Sequence, residues 1–132
     1  MVRPCFLVVD REFPGSISTR KLILETAKYN VITAYSAREA IETLRIYPRV
    51  TGVLMDTRVG DMECASFIHE LRSITPGIPV VAIEAASAPH CEGPTFTIPF
   101  YTPEVLLDTI ARIVPSETII IREHEREIEN KM

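Results

Sequence analysis

Short unbroken apolar runs alternate with amphipathic stretches along this chain, and the two patterns have different periods. Cys5-Phe6-Leu7-Val8-Val9 is a continuous apolar run that stops on Asp10, the pattern of a strand buried on both faces. Pro14, Gly15 and Ser16 break it. A helix is predicted over 18–29, with Ile17, Leu24 and Ala27 on its buried stripe and Arg20, Lys21, Glu25 and Lys28 outside. Val31 to Tyr35 reads as a second strand. Ser36-Ala37-Arg38-Glu39 is a capping box, in which the serine caps a backbone N–H and the glutamate reaches back. Behind it Ala37, Ala40, Ile41 and Leu44 repeat at helical spacing until Pro48. Gly52 to Met55 is the third strand, and it delivers Asp56. Glu63 opens a helix with Cys64, Phe67, Ile68 and Leu71 on one face, closed by Pro76 and Gly77. Pro79 to Ile83 and Thr95 to Ile98 read as the fourth and fifth strands. Thr102-Pro103-Glu104 starts a last helix with proline at its first position. Its stripe is Leu106, Leu107, Ile110, Ile113 and Val114, and Pro115 stops it.

Strands that alternate with helices imply an α/β domain: a parallel sheet with right-handed crossovers. Ligands of such sheets bind at the carboxyl ends of the strands. Asp10, Asp56 and Glu84 each follow an apolar strand there. A carboxylate in that place can hold a metal, attack a phosphoryl group or cap the loop that follows it.

The 132 residues suit one domain with a sizeable core, and the composition, 46% hydrophobic and 24% charged, is that of a globular protein. A net charge of -4 argues against sequence-independent nucleic-acid binding, which wants a basic face. Three cysteines, Cys5, Cys64 and Cys91, form no CxxC pair, so they are expected to be reduced, in a cytoplasmic protein. No apolar run approaches the roughly 18 residues of a membrane helix, and the start of the chain has no signal-peptide pattern. Neither GxxxxGK[ST] nor GxGxxG occurs, which leaves nucleotide chemistry unsupported.

Taken together, FLVVDRE, GVLMDTRVGDMEC, IPVVAIEA and FTIPF resemble, in order and spacing, the receiver domain of two-component response regulators, over about Pro4 to Pro115. The resemblance implies a CheY-like, flavodoxin-like (βα)5 fold, a doubly wound parallel sheet in a three-layer sandwich. It makes Asp56 the phospho-acceptor position, and Asp10 and Asp56 the places where Mg²⁺ is bound, with Glu12 nearby. It implies a non-enzymatic signalling module.

Four positions depart from the family pattern. Arg11 stands where a second acid is expected, Glu84 where a Ser or Thr hydroxyl receives the phosphoryl group, Ile98 where a lysine precedes the last proline, and Thr95 at the aromatic switch position. With 14 positions from Glu84 to Ile98, the fourth helix is expected to be shortened or missing. Phosphoryl transfer to a carboxylate needs positive charge over the entering oxygens. Mg²⁺ needs near-octahedral oxygen ligands. Arg11 removes a ligand, Ile98 removes a cation and Glu84 adds an anion. Arg11 is either a solvated surface residue or a fixed counter-ion bridging Asp56 or Glu84. The reading preferred from the sequence is a phosphorylation-independent pseudo-receiver, with no cofactor required. The alternatives are a working receiver phosphorylated on Asp56 with Mg²⁺, and an aspartyl-nucleophile phosphatase. Arg58 speaks against the last, because haloacid-dehalogenase-like phosphatases carry an Asp two residues after the nucleophile.

His90-Cys91 falls short of the four ligands of a zinc site. His69 reads as a half-exposed helix residue, and Cys64 as a small core hydrophobe. The domain is expected to span 1–115 and a tail 116–132. In the tail, Thr118 to Ile121 is an apolar patch and Arg122 to Lys131 a helix-friendly charged run. It reads as a frayed end or as a dimer or partner element. In receivers the fourth helix, fifth strand and fifth helix dock partners. The partners expected here are proteins, a histidine kinase or another signalling domain, or a second copy of the chain; neither nucleic acid nor membrane is expected.

Overall fold

A computed structural model describes residues 4–11, 19–84, 91–99 and 103–114. Five strands and four helices follow in chain order: β1 (Cys5–Val9), α1 (Thr19–Thr26), β2 (Asn30–Ala34), α2 (Ala37–Ile46), β3 (Gly52–Asp56), α3 (Cys64–Ile74), β4 (Val80–Glu84), β5 (Phe96–Pro99) and α4 (Pro103–Ile113). All neighbours in the sheet are parallel, in the order β2-β1-β3-β4-β5. Between β4 and β5 only residues 91–95 are described, and they hold no helix; residues 85–90, where the shortened helix is expected, lie outside the described residues. The predicted elements are all present where the chain is described. Glu12, Ile17, His90 and the tail 116–132 lie outside the described residues.

Strand period two sorts the apolar runs onto the two faces of the sheet. Leu7 and Val9 of β1, Val53 and Met55 of β3, and Val80 and Ala82 of β4 pack with Ala37, Ala40, Ile41 and Leu44 of α2 and with Phe67, Ile68 and Leu71 of α3. Phe6 and Val8, Leu54, and Val81 and Ile83 face the other way, onto Leu24 of α1 and Leu106 and Ile110 of α4. Both faces are therefore covered, which is why the strands read as unbroken apolar runs. Leu54, in the middle of a strand buried throughout, is fully enclosed.

The helix ends follow local chemistry. Ser36 caps α2 by accepting from the Glu39 N–H at 3.0 Å, and Glu39 reaches back to the Tyr35 N–H at 3.3 Å. α1 ends earlier than predicted, at Thr26. Lys28 takes the left-handed conformation (φ 71). The Tyr29 N–H then bonds the Leu24 carbonyl and the Lys28 N–H bonds that of Glu25, the paired closure of a Schellman turn. That turn swings Tyr29 inward, where its ring meets Phe6 edge to face at 5.5 Å.

Candidate functional site

The alternation that builds the core also aims the acids. Asp10 continues the side of Phe6 and Val8, and Asp56 that of Leu54, so both turn toward the α1 face of the sheet. Both are buried, Asp10 to 1% and Asp56 to 0% exposure. A buried carboxylate needs partners, and two arginines supply them. Arg20, on α1, donates from Nη1 to Asp10 Oδ1 at 2.8 Å, and its Nη2 lies 3.2 Å from Asp56 Oδ2. Arg58, in the loop after β3, grips Asp56 with two parallel bonds, Nε to Oδ1 at 3.0 Å and Nη2 to Oδ2 at 2.8 Å. The Arg58 backbone N–H adds a third bond, to Oδ1 at 2.8 Å. An ionised carboxylate has about four lone-pair sites. In Asp56 each oxygen already meets two donors.

Charge follows the same geometry. Burial pushes the Asp56 carboxyl up. The side-chain and backbone bonds from Arg58, with the charges of Arg20 and Arg58, outweigh that and hold it below the usual carboxylate range. The bond to Asp56 in turn raises Arg58 above its ordinary value, against the opposing effect of its own partial burial.

Arg11 is not the counter-ion. It is exposed, and its backbone N–H donates to Asp10 Oδ1 at 2.8 Å. One residue past Asp10, its side chain belongs to the opposite side of the strand line from Asp56. The guanidinium that joins the two acids is that of Arg20, a residue the helical pattern places outside the buried stripe. The signal was present: Arg20, Leu24 and Ala27 stand at i, i+4 and i+7, so Arg20 extends that stripe by one turn toward the strand ends. Arg58 was legible only as an obstacle to phosphatase chemistry. Two residues after Asp56, it is near enough in the chain to close back on it. Asp10 and Asp56 also cap the loops after their strands, through the N–H groups of Arg11 and Arg58, so capping and ion pairing coexist.

Glu84 does not face the Asp56 carboxylate. It shares the side of Val80 and Ala82, toward α3, and its Oε1 accepts from the Cys91 N–H at 3.3 Å. Ile98 is buried with Ile83 and Ile110, where it fills core space. Thr95 lies just before β5. Its hydroxyl accepts from the Val80 N–H at 3.1 Å and from Arg72 Nη2 at 3.2 Å, a structural part with no aromatic switch in it. Asp61, in the loop after Asp56, accepts from the N–H groups of Ala37 and Arg38 at 2.9 and 3.0 Å. That loop is thereby pinned to the start of α2. Nothing in the sequence pattern singled Asp61 out.

The cysteines correct the sequence expectation most directly. Cys64 and Cys91, 27 positions apart, are joined in a disulfide, with Cα atoms 5.7 Å apart. Cys5 is free. Spacing could not reveal this pair, because only the seating of residues 91–95 on α3 brings Cys91 to Cys64.

The site offers Mg²⁺ a poor donor set. The two carboxylates point at guanidinium groups, and the position after Asp10 is Arg11. Among the described residues no group of three or more His, Cys, Asp or Glu side chains could hold a metal ion. No described helix is long and apolar enough to cross a membrane.

No protein-family model matches the chain. The transcriptional regulatory protein GlrR of Escherichia coli K12 is 29% identical over 83 residues, 63% of this chain but 18% of that protein. The chain thus spans less than a fifth of the length of this curated relative. The response regulator receiver domain protein of Clostridium thermocellum superposes with a TM-score of 0.74 at 19% identity, covering 89% of this chain and 98% of the other. The receiver domain of the sensor histidine kinase PA1611 of Pseudomonas aeruginosa PAO1, solved with magnesium in its active-site cleft, gives 0.73 at 18% identity, covering 87% and 100%. In its fold this chain is similar to the receiver domains of two-component response regulators, and over 83 residues its sequence is similar to that of one such regulator.

Proposed function

We propose that the chain is a phosphorylation-independent receiver-type domain, a pseudo-receiver that acts in two-component signalling by binding a protein partner. The observation that carries this reading is the engagement of Asp56. Arg58 clamps both of its oxygens and Arg20 ties it to Asp10. A carboxylate whose lone pairs are all engaged has none to offer an incoming phosphorus or a metal. Two fixed guanidinium groups supply at Asp56 the positive charge that the resemblance to receivers would assign to Mg²⁺ and a lysine. Because the side chains are covalently part of the fold, the charge cannot come and go with a ligand. The domain therefore stays in one state, and partners read its surface. The Asp56 position in a working receiver remains the rival reading, since Asp56 ends its strand and a structural neighbour holds magnesium in its cleft.

Calorimetric titration with Mg²⁺ tests the proposal. The wild-type chain is expected to take up no Mg²⁺ at millimolar concentration. Saturable binding in that range, abolished in Asp56→Asn, would overturn it.

A further inference from the structure

We propose that Cys64 and Cys91 are a reversible redox pair, a thiol–disulfide switch that fastens residues 91–95, just before β5, to the start of α3. The two residues are joined across 27 positions of sequence. Cys64 is the first residue of α3 and is only partly buried, while Cys91 is 2% exposed inside the core cluster of Phe67 and Ile68. Cys64 is therefore the more exposed of the two residues, and Cys91 is the enclosed one.

The surroundings fit a switch better than a permanent staple. Polar bonds seat the same segment without the crosslink. Arg72 of α3 donates from Nη1 to the Gly93 carbonyl at 2.6 Å and from Nη2 to Thr95 Oγ1 at 3.2 Å. Gly93 itself takes φ +108, a conformation that suits glycine and lets the chain turn above Ile68. The core has two clusters, one on each face of the sheet, so the fold does not depend on a covalent tie as a small secreted scaffold does. The third thiol takes no part: Cys5 sits at the amino end of β1, remote from the strand ends, and burial pushes it up and keeps it inert. The pair also touches the site end of the sheet, because the Cys91 N–H holds Glu84 at the tip of β4.

The step balances with a low-molecular-weight disulfide such as oxidised glutathione. The Cys64 thiolate, at a helix amino terminus that favours negative charge, attacks one sulfur of that disulfide. A Cys64 mixed disulfide forms and one glutathione thiolate leaves, taking up the proton that Cys64 gave up. The Cys91 thiolate then attacks the Cys64 sulfur and expels the second glutathione, which is protonated in its turn. Two protein thiols have lost two electrons, and one small disulfide has become two thiols. Excess reduced glutathione runs the sequence backward.

The full chain, equilibrated across mixtures of reduced and oxidised glutathione, is quenched with acid, alkylated in denaturant so that every free thiol is labelled, and weighed, and the backbone hydrogen exchange of the folded chain is followed at both extremes. One label is expected when oxidised, on Cys5, and three when reduced, one for each cysteine. The transition is expected in mixtures dominated by reduced glutathione. Reduction should speed exchange over 91–95 by roughly tenfold or more and leave β1 and β3 unchanged. Three labels in every mixture would overturn the pairing. One label persisting in excess reduced glutathione, or identical exchange in both forms, would overturn the switch.

Discussion

At the scale of single residues, the decisive quantity is the balance at Asp56 between the cost of burial and the donors that offset it. Removing one partner of a buried ion pair leaves the other charge uncompensated, which costs about 3–5 kcal/mol. Asp56→Ala, which strands Arg20 and Arg58, is therefore expected to lower the stability measured by urea unfolding by about that amount. In a receiver whose acids face one another unpaired, removing an acid relieves repulsion instead, so the sign of the change separates the two kinds of site. The pH dependence follows from the depressed Asp56 carboxyl. A folded value below the unfolded one, about 3.9, means that the unfolded chain binds the proton more readily. The stabilisation is complete above that pH and is lost as pH falls through the lower folded value. Urea unfolding across the acid range should thus show stability declining below about pH 4, with a shallower decline in Asp56→Asn. Equal slopes in the two proteins would contradict the account.

At the scale of elements, the apolar runs and the capping box were sufficient to place the strands and helices, because period and caps are local properties. What could not be read were contacts between elements. Asp61 belongs by sequence to a loop after β3, yet its bonds go to Ala37 and Arg38 at the start of α2. Those bonds hold the Asp61 carboxyl below its usual range, although partial burial acts in the other direction. Asp61→Ala is expected to cost about 1 kcal/mol, the usual scale for losing an acceptor at a helix start. Because the bonds also pin the loop that carries Arg58, hydrogen exchange over 57–63 should rise in the same variant. Arg20 was misplaced for a related reason. A charged residue at the end of a helical stripe reads as the solvent edge unless the buried acids across from it are known. The Cys64–Cys91 pair was invisible for the same reason, since it depends on how tightly 91–95 packs on α3.

At the scale of the whole molecule, the fold and the site make separate statements. The doubly wound parallel sheet brings Asp10 and Asp56 to the carboxyl ends of adjacent strands, the place where such folds carry their chemistry. The departures at Arg11, Glu84 and Ile98 raised in the sequence the expectation of altered chemistry, and of the two readings open for Arg11 the exposed surface residue is the one observed. Two other arginines complete the site, and they do so from α1 and from the loop after β3. Glu84 and Ile98 have passed into structural roles, one holding the β4–β5 connection and the other filling the core beside α4. On the proposed reading, a receiver-type fold built this way keeps its shape and surface while Asp56 is engaged from within. The most direct test is intact-mass measurement of the chain after incubation with acetyl phosphate and Mg²⁺. An unchanged mass is expected for the folded wild-type protein. The gain of one phosphoryl group, absent in Asp56→Asn, would contradict it and make Asp56 a live switch despite Arg20 and Arg58.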